Sequence, residues 1–126
     1  MTAPFDLEGL LRLWTDPLPE DDSAEDAFRA MYADPVTVNG APLTAADLVA
    51  RARALQRSFQ SPEREILDTV EVDGKVAIAF RLRGRQVGPL ATSAGQLEPT
   101  GRQLTLRVID ILTIADGVVT DVTVGG

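Results

Sequence analysis

Asp110 is a carboxylate set among aliphatic residues at a spacing that points to chemistry. In Leu104-Thr105-Leu106-Arg107-Val108-Ile109-Asp110-Ile111-Leu112-Thr113-Ile114, read as a strand, side chains alternate between two faces. One face is then Leu104, Leu106, Val108, Asp110, Leu112 and Ile114. An ionised carboxylate buried without partners costs several kcal/mol, so such a group stays protonated, finds donors or lines a cavity. A carboxyl in apolar surroundings is also what acid–base catalysis near neutral pH requires. Two other readings stand beside this one. A bulge before Asp110 would turn it to solvent and leave Ile109 and Ile111 inside, and perturbed acids also occur in purely structural networks.

Composition narrows the chemistry. The 126 residues suffice for one domain, 1–126, that buries about two-thirds of its unfolded surface. Cysteine is absent, which removes disulfides, thiolate nucleophiles and cysteine metal sites and fits a cytoplasmic protein. Histidine is absent too, so proton transfer falls to Asp, Glu, Tyr32 or a bound water, and a histidine-dependent triad is excluded. With no glycine-rich phosphate loop or dinucleotide fingerprint, neither a cofactor nor a metal is expected. No apolar run approaches a membrane span and no signal segment opens the chain, so no membrane partner is expected. The net charge of −7 is concentrated in residues 1–50, and an acidic surface repels phosphate backbones, which argues against nucleic acid. Arg81, Arg83 and Arg85 alternate on a strand and are read as a solvated face answering nearby carboxylates. The acidic run Glu20-Asp21-Asp22 is read as a solvated loop rather than a cation site.

The elements that would position Asp110 follow from periodicity. Leu7, Leu10, Leu11 and Trp14 mark a short helix stopped by Pro17 and Pro19. Ser23 is expected to cap a second helix presenting Ala27, Phe28 and Met31 inward, with Tyr32 at its end. Pro35 to Gly40 is a short strand closing in a turn. Thr44 and Asp47 form a capping box for a third helix with the stripe Leu48, Ala52, Leu55 and Phe59, ended by Pro62. From Glu63 the pattern is strand-like: Ile66, Val70 and Val72 alternate, with Asp68 interrupting their face. Asp73-Gly74 and Asp116-Gly117 are hairpin turns, and a long Gly84–Gly101 loop is a candidate lid or mouth. Helices first and a meander afterwards make an α+β domain, with helices covering one face of a curved antiparallel sheet.

The segment FRLRGRQVGPL … EPTGRQLTLRVIDILTIADGVV, together with MYADPVTVNG, resembles the SnoaL-like polyketide cyclases, within the superfamily of nuclear transport factor 2 and the ketosteroid isomerases. The resemblance runs from about Phe5 to Val124. It implies a cone-shaped sheet wrapped around about three N-terminal helices, enclosing a deep apolar pocket, and pairing of two copies through the outer sheet face. Ile109, Ile111, Ala77 and Ala79 on one outward face agree with a covered surface, so a homodimer is expected. Asp110 matches the acid that looks catalytic in these cyclases and the oxyanion-hole acid of the isomerases. Asn39 falls where relatives carry a polar pocket residue. Trp14 stands near the isomerases' oxyanion tyrosine, and Gly40 or Asn39 at their base aspartate, so two of the three isomerase residues are missing. The paired acid and arginine of related epoxide hydrolases is not recognisable.

Two functions follow. The first is a cofactor-free enzyme in which Asp110 moves a proton on a hydrophobic carbonyl or polyketide-like substrate, promoting ring closure or isomerisation. Asn39, Tyr32, Trp14, Phe59 and Asp68 are the candidate substrate-contacting residues. The alternative is a non-catalytic module of the same fold, holding a hydrophobic small molecule or serving as a homodimeric interaction subunit.

Overall fold

The computed structural model describes residues 5–92 and 95–125. In chain order these form α1 (Leu7–Thr15), α2 (Ser23–Arg29), β1 (Tyr32–Val38), β2 (Ala41–Leu43), α3 (Ala45–Ser58), β3 (Phe59–Val72), β4 (Lys75–Gln86), β5 (Leu90–Thr92), β6 (Gly95–Leu97), β7 (Gln103–Ala115) and β8 (Val118–Gly125). Six strands make one open sheet in the order β2-β1-β8-β7-β4-β3, and β5 and β6 form a separate small hairpin. The expected α+β architecture is present, with one pairing the sequence did not reveal. β1 lies parallel to β8, while every other pair is antiparallel. No hairpin joins β1 to β8, so no turn dictates their relative direction.

Local chemistry explains the element boundaries. Asp6 accepts from the Gly9 N–H to start α1, and Thr44 and Asp47 exchange both bonds of a capping box at α3. Ser23 lies inside the first turn of α2 instead of capping it. Asp22 holds the cap position without a side-chain bond, and the Asp21 carboxylate receives the Ser23 hydroxyl and N–H. Asp116 and Gly117 are both left-handed (φ 53° and 82°), as a tight β7–β8 hairpin demands.

The α3–β3 junction differs from expectation. Phe59 is already extended (φ −126°, ψ 139°) and pairs with Gln86, so α3 ends before it and Pro62 lies within β3. Phe59 packs with Leu82 and Leu90, and Gly84 accommodates its ring: a Cβ there would come within 2.9 Å of Phe59. β4 therefore continues past Gly84 to Gln86.

The main core joins the helices to the sheet through Leu10, Leu11, Phe28, Leu48, Ile78 and Leu112, among others. Phe28 stacks on Tyr32 (centroids 5.8 Å apart) and meets Trp14 edge-on at 5.4 Å. The other sheet face is open: Val70, Val72, Ile109 and Ile111 are exposed there, beside a shallow depression of about 90 Å³ lined by Asp68, Val70, Ala77, Ala79 and Ile109. Among the described residues no helix is long and apolar enough to cross a membrane.

Candidate functional site

Asp110 lies on the inner sheet face. The β4–β7 register is unbroken from Lys75↔Thr113 to Arg85↔Gln103 and sets Asp110 opposite the buried Ile78. Along β7 the alternation leaves Val108, Asp110 and Leu112 inward while Ile109 and Ile111 are exposed. With no bulge in that pairing, the outward alternative fails. The Asp110 Oδ1 is buried and has no hydrogen-bond partner. Burial pushes the carboxyl up to about 6, partly opposed by the positive charge of Arg64.

Arg64 enters from β3, two strands away, and its guanidinium lies over the Phe80 ring, 4.9 Å from the centroid. Its Nε is buried and unpartnered. Burial lowers its pKa to about 10, against the opposing pull of Asp110 and Tyr32. Tyr32, at the start of β1, is deeply buried and its phenol is pushed up to about 12 by desolvation, so it stays protonated. The Trp14 indole N–H donates to the Tyr32 oxygen at 3.0 Å. With that oxygen occupied, Tyr32 keeps its own O–H to offer. An acid, a cation and a phenol thus feel one another's charge in a partly desolvated interior, and each has donor or acceptor capacity unspent. Such a group can accept a proton from carbon and steady negative charge developing on a nearby oxygen.

Residues 11–122 match the SnoaL-like domain family. The chain belongs to that family. Solved structures support the SnoaL-like fold at low sequence identity. TsrD of Streptomyces laurentii is 17% identical, with 94% of this chain and 83% of that one covered and a TM-score of 0.75. A SnoaL-like polyketide cyclase of Agrobacterium tumefaciens is 14% identical, with 94% and 85% covered and a TM-score of 0.73. A protein of Catenulispora acidiphila with a ketosteroid isomerase-like fold, solved with trimethylamine, is 15% identical, with 99% and 87% covered and a TM-score of 0.70. A comparison with curated proteins gave no match.

Of the residues singled out from sequence, this SnoaL-like domain brings Asp110, Tyr32 and Trp14 together. Asp68 does not join them. β3 pairs Ile66 with Phe80 but Asp68 with Ala79, so Leu67 is an extra residue, and the bulge turns Asp68 to the outer face where it is exposed. Phe59 sits in a separate cluster at the other end of β3. Asn39 is exposed and left-handed (φ 48°), and its side-chain oxygen accepts from the Val124 N–H at 2.8 Å, fastening the β1–β2 turn to β8. The Gly84–Gly101 segment expected as a lid is instead partly strand, anchored through Gln86 and Ser58; residues 93–94 lie outside the described part. Among the described residues no group of three or more His, Cys, Asp or Glu could hold a metal ion.

Arg64 escaped the sequence reading, although a signal was present. Glu63 and Glu65 bracket it, and both meet arginines on β4: Arg81–Glu65 and Arg83–Glu65 at 3.6 Å, Arg83–Glu63 at 3.9 Å. Those pairs fix Glu63 and Glu65 on the outer face, and strand alternation then sends Arg64 inward.

Proposed function

We propose that this SnoaL-like domain is a cofactor-independent acid–base enzyme that closes a ring in, or isomerises, a hydrophobic carbonyl compound, with Asp110 carrying the proton. The observation that supports this most is the buried, unpartnered Asp110 oxygen, with a pKa of about 6. At pH 7 such a carboxyl is mostly ionised yet close enough to neutrality to take and return a proton efficiently. In this reading the Asp110 carboxylate removes the proton from a carbon beside a carbonyl. The electron pair of that C–H bond moves onto the carbonyl oxygen, where the Tyr32 O–H, and Arg64 within its field, oppose the negative charge. Isomerisation ends when Asp110 returns the proton to another carbon. Ring closure ends when the carbanion carbon attacks a second carbonyl of the same molecule and Asp110 protonates the resulting alkoxide. Trp14 contributes by holding the Tyr32 oxygen, which orients the phenol.

The test is a survey of enolisable carbonyl compounds, followed by Asp110→Asn on any that turn over. Full activity in that variant would remove Asp110 as the proton carrier, and no turnover of any compound surveyed would leave the binding-module alternative. The exposed valines and isoleucines of the outer face also support pairing of two copies through the sheet. Sedimentation should then show a dimer that Ile109→Lys dissociates.

A further inference from the structure

We infer that the molecule this site accepts carries a carboxylate, held by the Arg64 guanidinium, and that Arg64 is the residue that selects it. This inference rests on the Asp110 interior being the functional site. It adds a ligand class that acid–base chemistry alone does not require.

Arg64 differs from the arginines that make ion pairs or hydrogen bonds elsewhere in the chain. Arg29 bonds Glu25, Asp26 and Asp34; Arg81 and Arg83 meet Glu63 and Glu65; Arg53 and Arg85 donate to the carbonyls of Pro19 and Gly101. Each of these has an acceptor on the surface, where a cation needs one least. Arg64 is drawn into the interior over an aromatic ring and has none. A buried cation without a counter-charge is costly, and the nearest acid does not supply one: Asp110 feels Arg64, yet its Oδ1 is itself unpartnered. Two opposite charges that influence each other without closing into a pair each keep capacity for a further group.

The chemistry of that group follows from what surrounds it. The guanidinium is a planar fork of donors that matches the two oxygens of a carboxylate. Among the described residues Arg64 is the one cation that Asp110 and Tyr32 feel, and a carboxyl stands nearby, so a dianionic phosphate would meet one counter-charge and one repulsive group. A singly charged carboxylate fits better. Phe80 beneath the guanidinium, with Ile66 and Val108 on the same inner face, offers apolar surface for the rest of the molecule. Seated so, the ligand turns its carbon skeleton toward Asp110.

Trp14 is the one tryptophan of the chain and bonds Tyr32, so its fluorescence reports on this interior directly. Cyclohexanecarboxylate and cyclohexanecarboxamide have nearly the same shape and differ in charge, and neither absorbs where tryptophan does. The wild-type protein should bind the carboxylate about tenfold or more tightly than the amide, as a charge-assisted bidentate contact implies. Arg64→Gln should bring the two within about twofold, and Arg64→Lys should keep a reduced preference for the carboxylate because the charge remains without the fork. Asp110→Asn should keep the preference and tighten carboxylate binding, because a repulsive neighbour is gone. Should Arg64→Gln fail to fold, the reduced preference in Arg64→Lys decides the matter. Equal affinity for the two probes in the wild type, no saturable binding of either, or a preference unmoved by Arg64→Lys would each overturn the inference. Turnover of a neutral carbonyl compound through Asp110 without any carboxylate preference would retain the proposed reaction and remove Arg64 as its selector. Carboxylate preference without turnover of any carbonyl compound would retain Arg64 and remove the reaction.

Discussion

Gln86 and the Asp110–Arg64 group are both polar and both inside, and they are treated in opposite ways. Gln86 has no solvent exposure at all, and both its N–H donors and its oxygen are engaged. Its Nε2 donates to the Gly88 and Leu97 carbonyls, and its Oε1 accepts from the Thr100 hydroxyl. Its backbone joins Arg102 and Gly101, and nearby Ser58 bonds Pro89. The result is a latch that fixes the long β4–β7 connection to the end of α3. Asp110 and Arg64 are partly desolvated and keep buried atoms with nothing to bond. A satisfied buried polar group builds the scaffold, and an unsatisfied one is held for something that arrives. Substitutions in the two regions should therefore diverge in kind.

The largest divergence is expected at Asp110. Asp110→Asn keeps the volume and removes the titrating proton, so turnover of a substrate should fall about 10²–10⁴-fold. Thermal stability should not fall with it, because a desolvated carboxylate is replaced by a neutral amide. Loss of activity together with a lower Tm would place Asp110 in the scaffold with Gln86 and erase the distinction.

Gln86→Ala should show the reverse. Three side-chain hydrogen bonds disappear and the Gly88 and Leu97 carbonyls lose a donor, for a cost of about 2–4 kcal/mol in urea unfolding. The carboxylate preference of the site should be unchanged, since Gln86 ends β4 and its side-chain bonds go to Gly88, Leu97 and Thr100, not to the site residues. A shift in ligand preference larger than about threefold would show that the latch and the site are coupled.

The Asp110 titration predicts a pH dependence of stability with an unusual sign. Its folded pKa of about 6 lies above the ordinary carboxyl value of 3.8, so the folded state binds more protons between those values. Stability from this group is greatest below about pH 4 and is lost as pH rises through about 6, by roughly 2–3 kcal/mol at most. Asp34 acts oppositely: bonded by Arg29 and by the Ala45 N–H, its carboxyl is held below the usual range, and its contribution fades as pH falls. The difference between wild type and Asp110→Asn isolates the first effect. That difference should grow between pH 4 and pH 7 in chemical unfolding, and a difference independent of pH would mean that Asp110 is hydrated.

The regions also differ in how legible they were. Asp110's face, the Thr44–Asp47 box and the Asp116-Gly117 turn were readable because each depends on neighbours a few positions away. Asp68 was misplaced because the bulge at Leu67 shifts the alternation by one, and nothing local announces it. Phe59 continued the helical stripe in spacing, and only its pairing with Gln86 makes it a strand residue. The Gln86 latch was hidden in a run rich in glycine and proline, since its partners Leu97 and Thr100 lie more than ten positions away. Arg64 was hidden for a different reason: a charged residue between two acids reads as surface until the β4 arginines claim those acids.

Asn39 gives the smallest and sharpest test of the division. Family resemblance places it in the pocket, yet it is exposed, its side-chain oxygen is engaged by the Val124 N–H and its backbone is left-handed, so hydrogen-bond satisfaction groups it with Gln86 in the scaffold. Asn39→Ala removes that bond and puts a less tolerant residue at positive φ, costing about 1–2 kcal/mol in urea unfolding. Asn39→Gly removes the bond but suits the backbone, so it should cost about half as much. Neither variant should alter the affinity for cyclohexanecarboxylate. If both leave stability untouched and weaken that ligand instead, a satisfied polar side chain will have proved functional, and hydrogen-bond satisfaction will no longer separate scaffold from site in this fold.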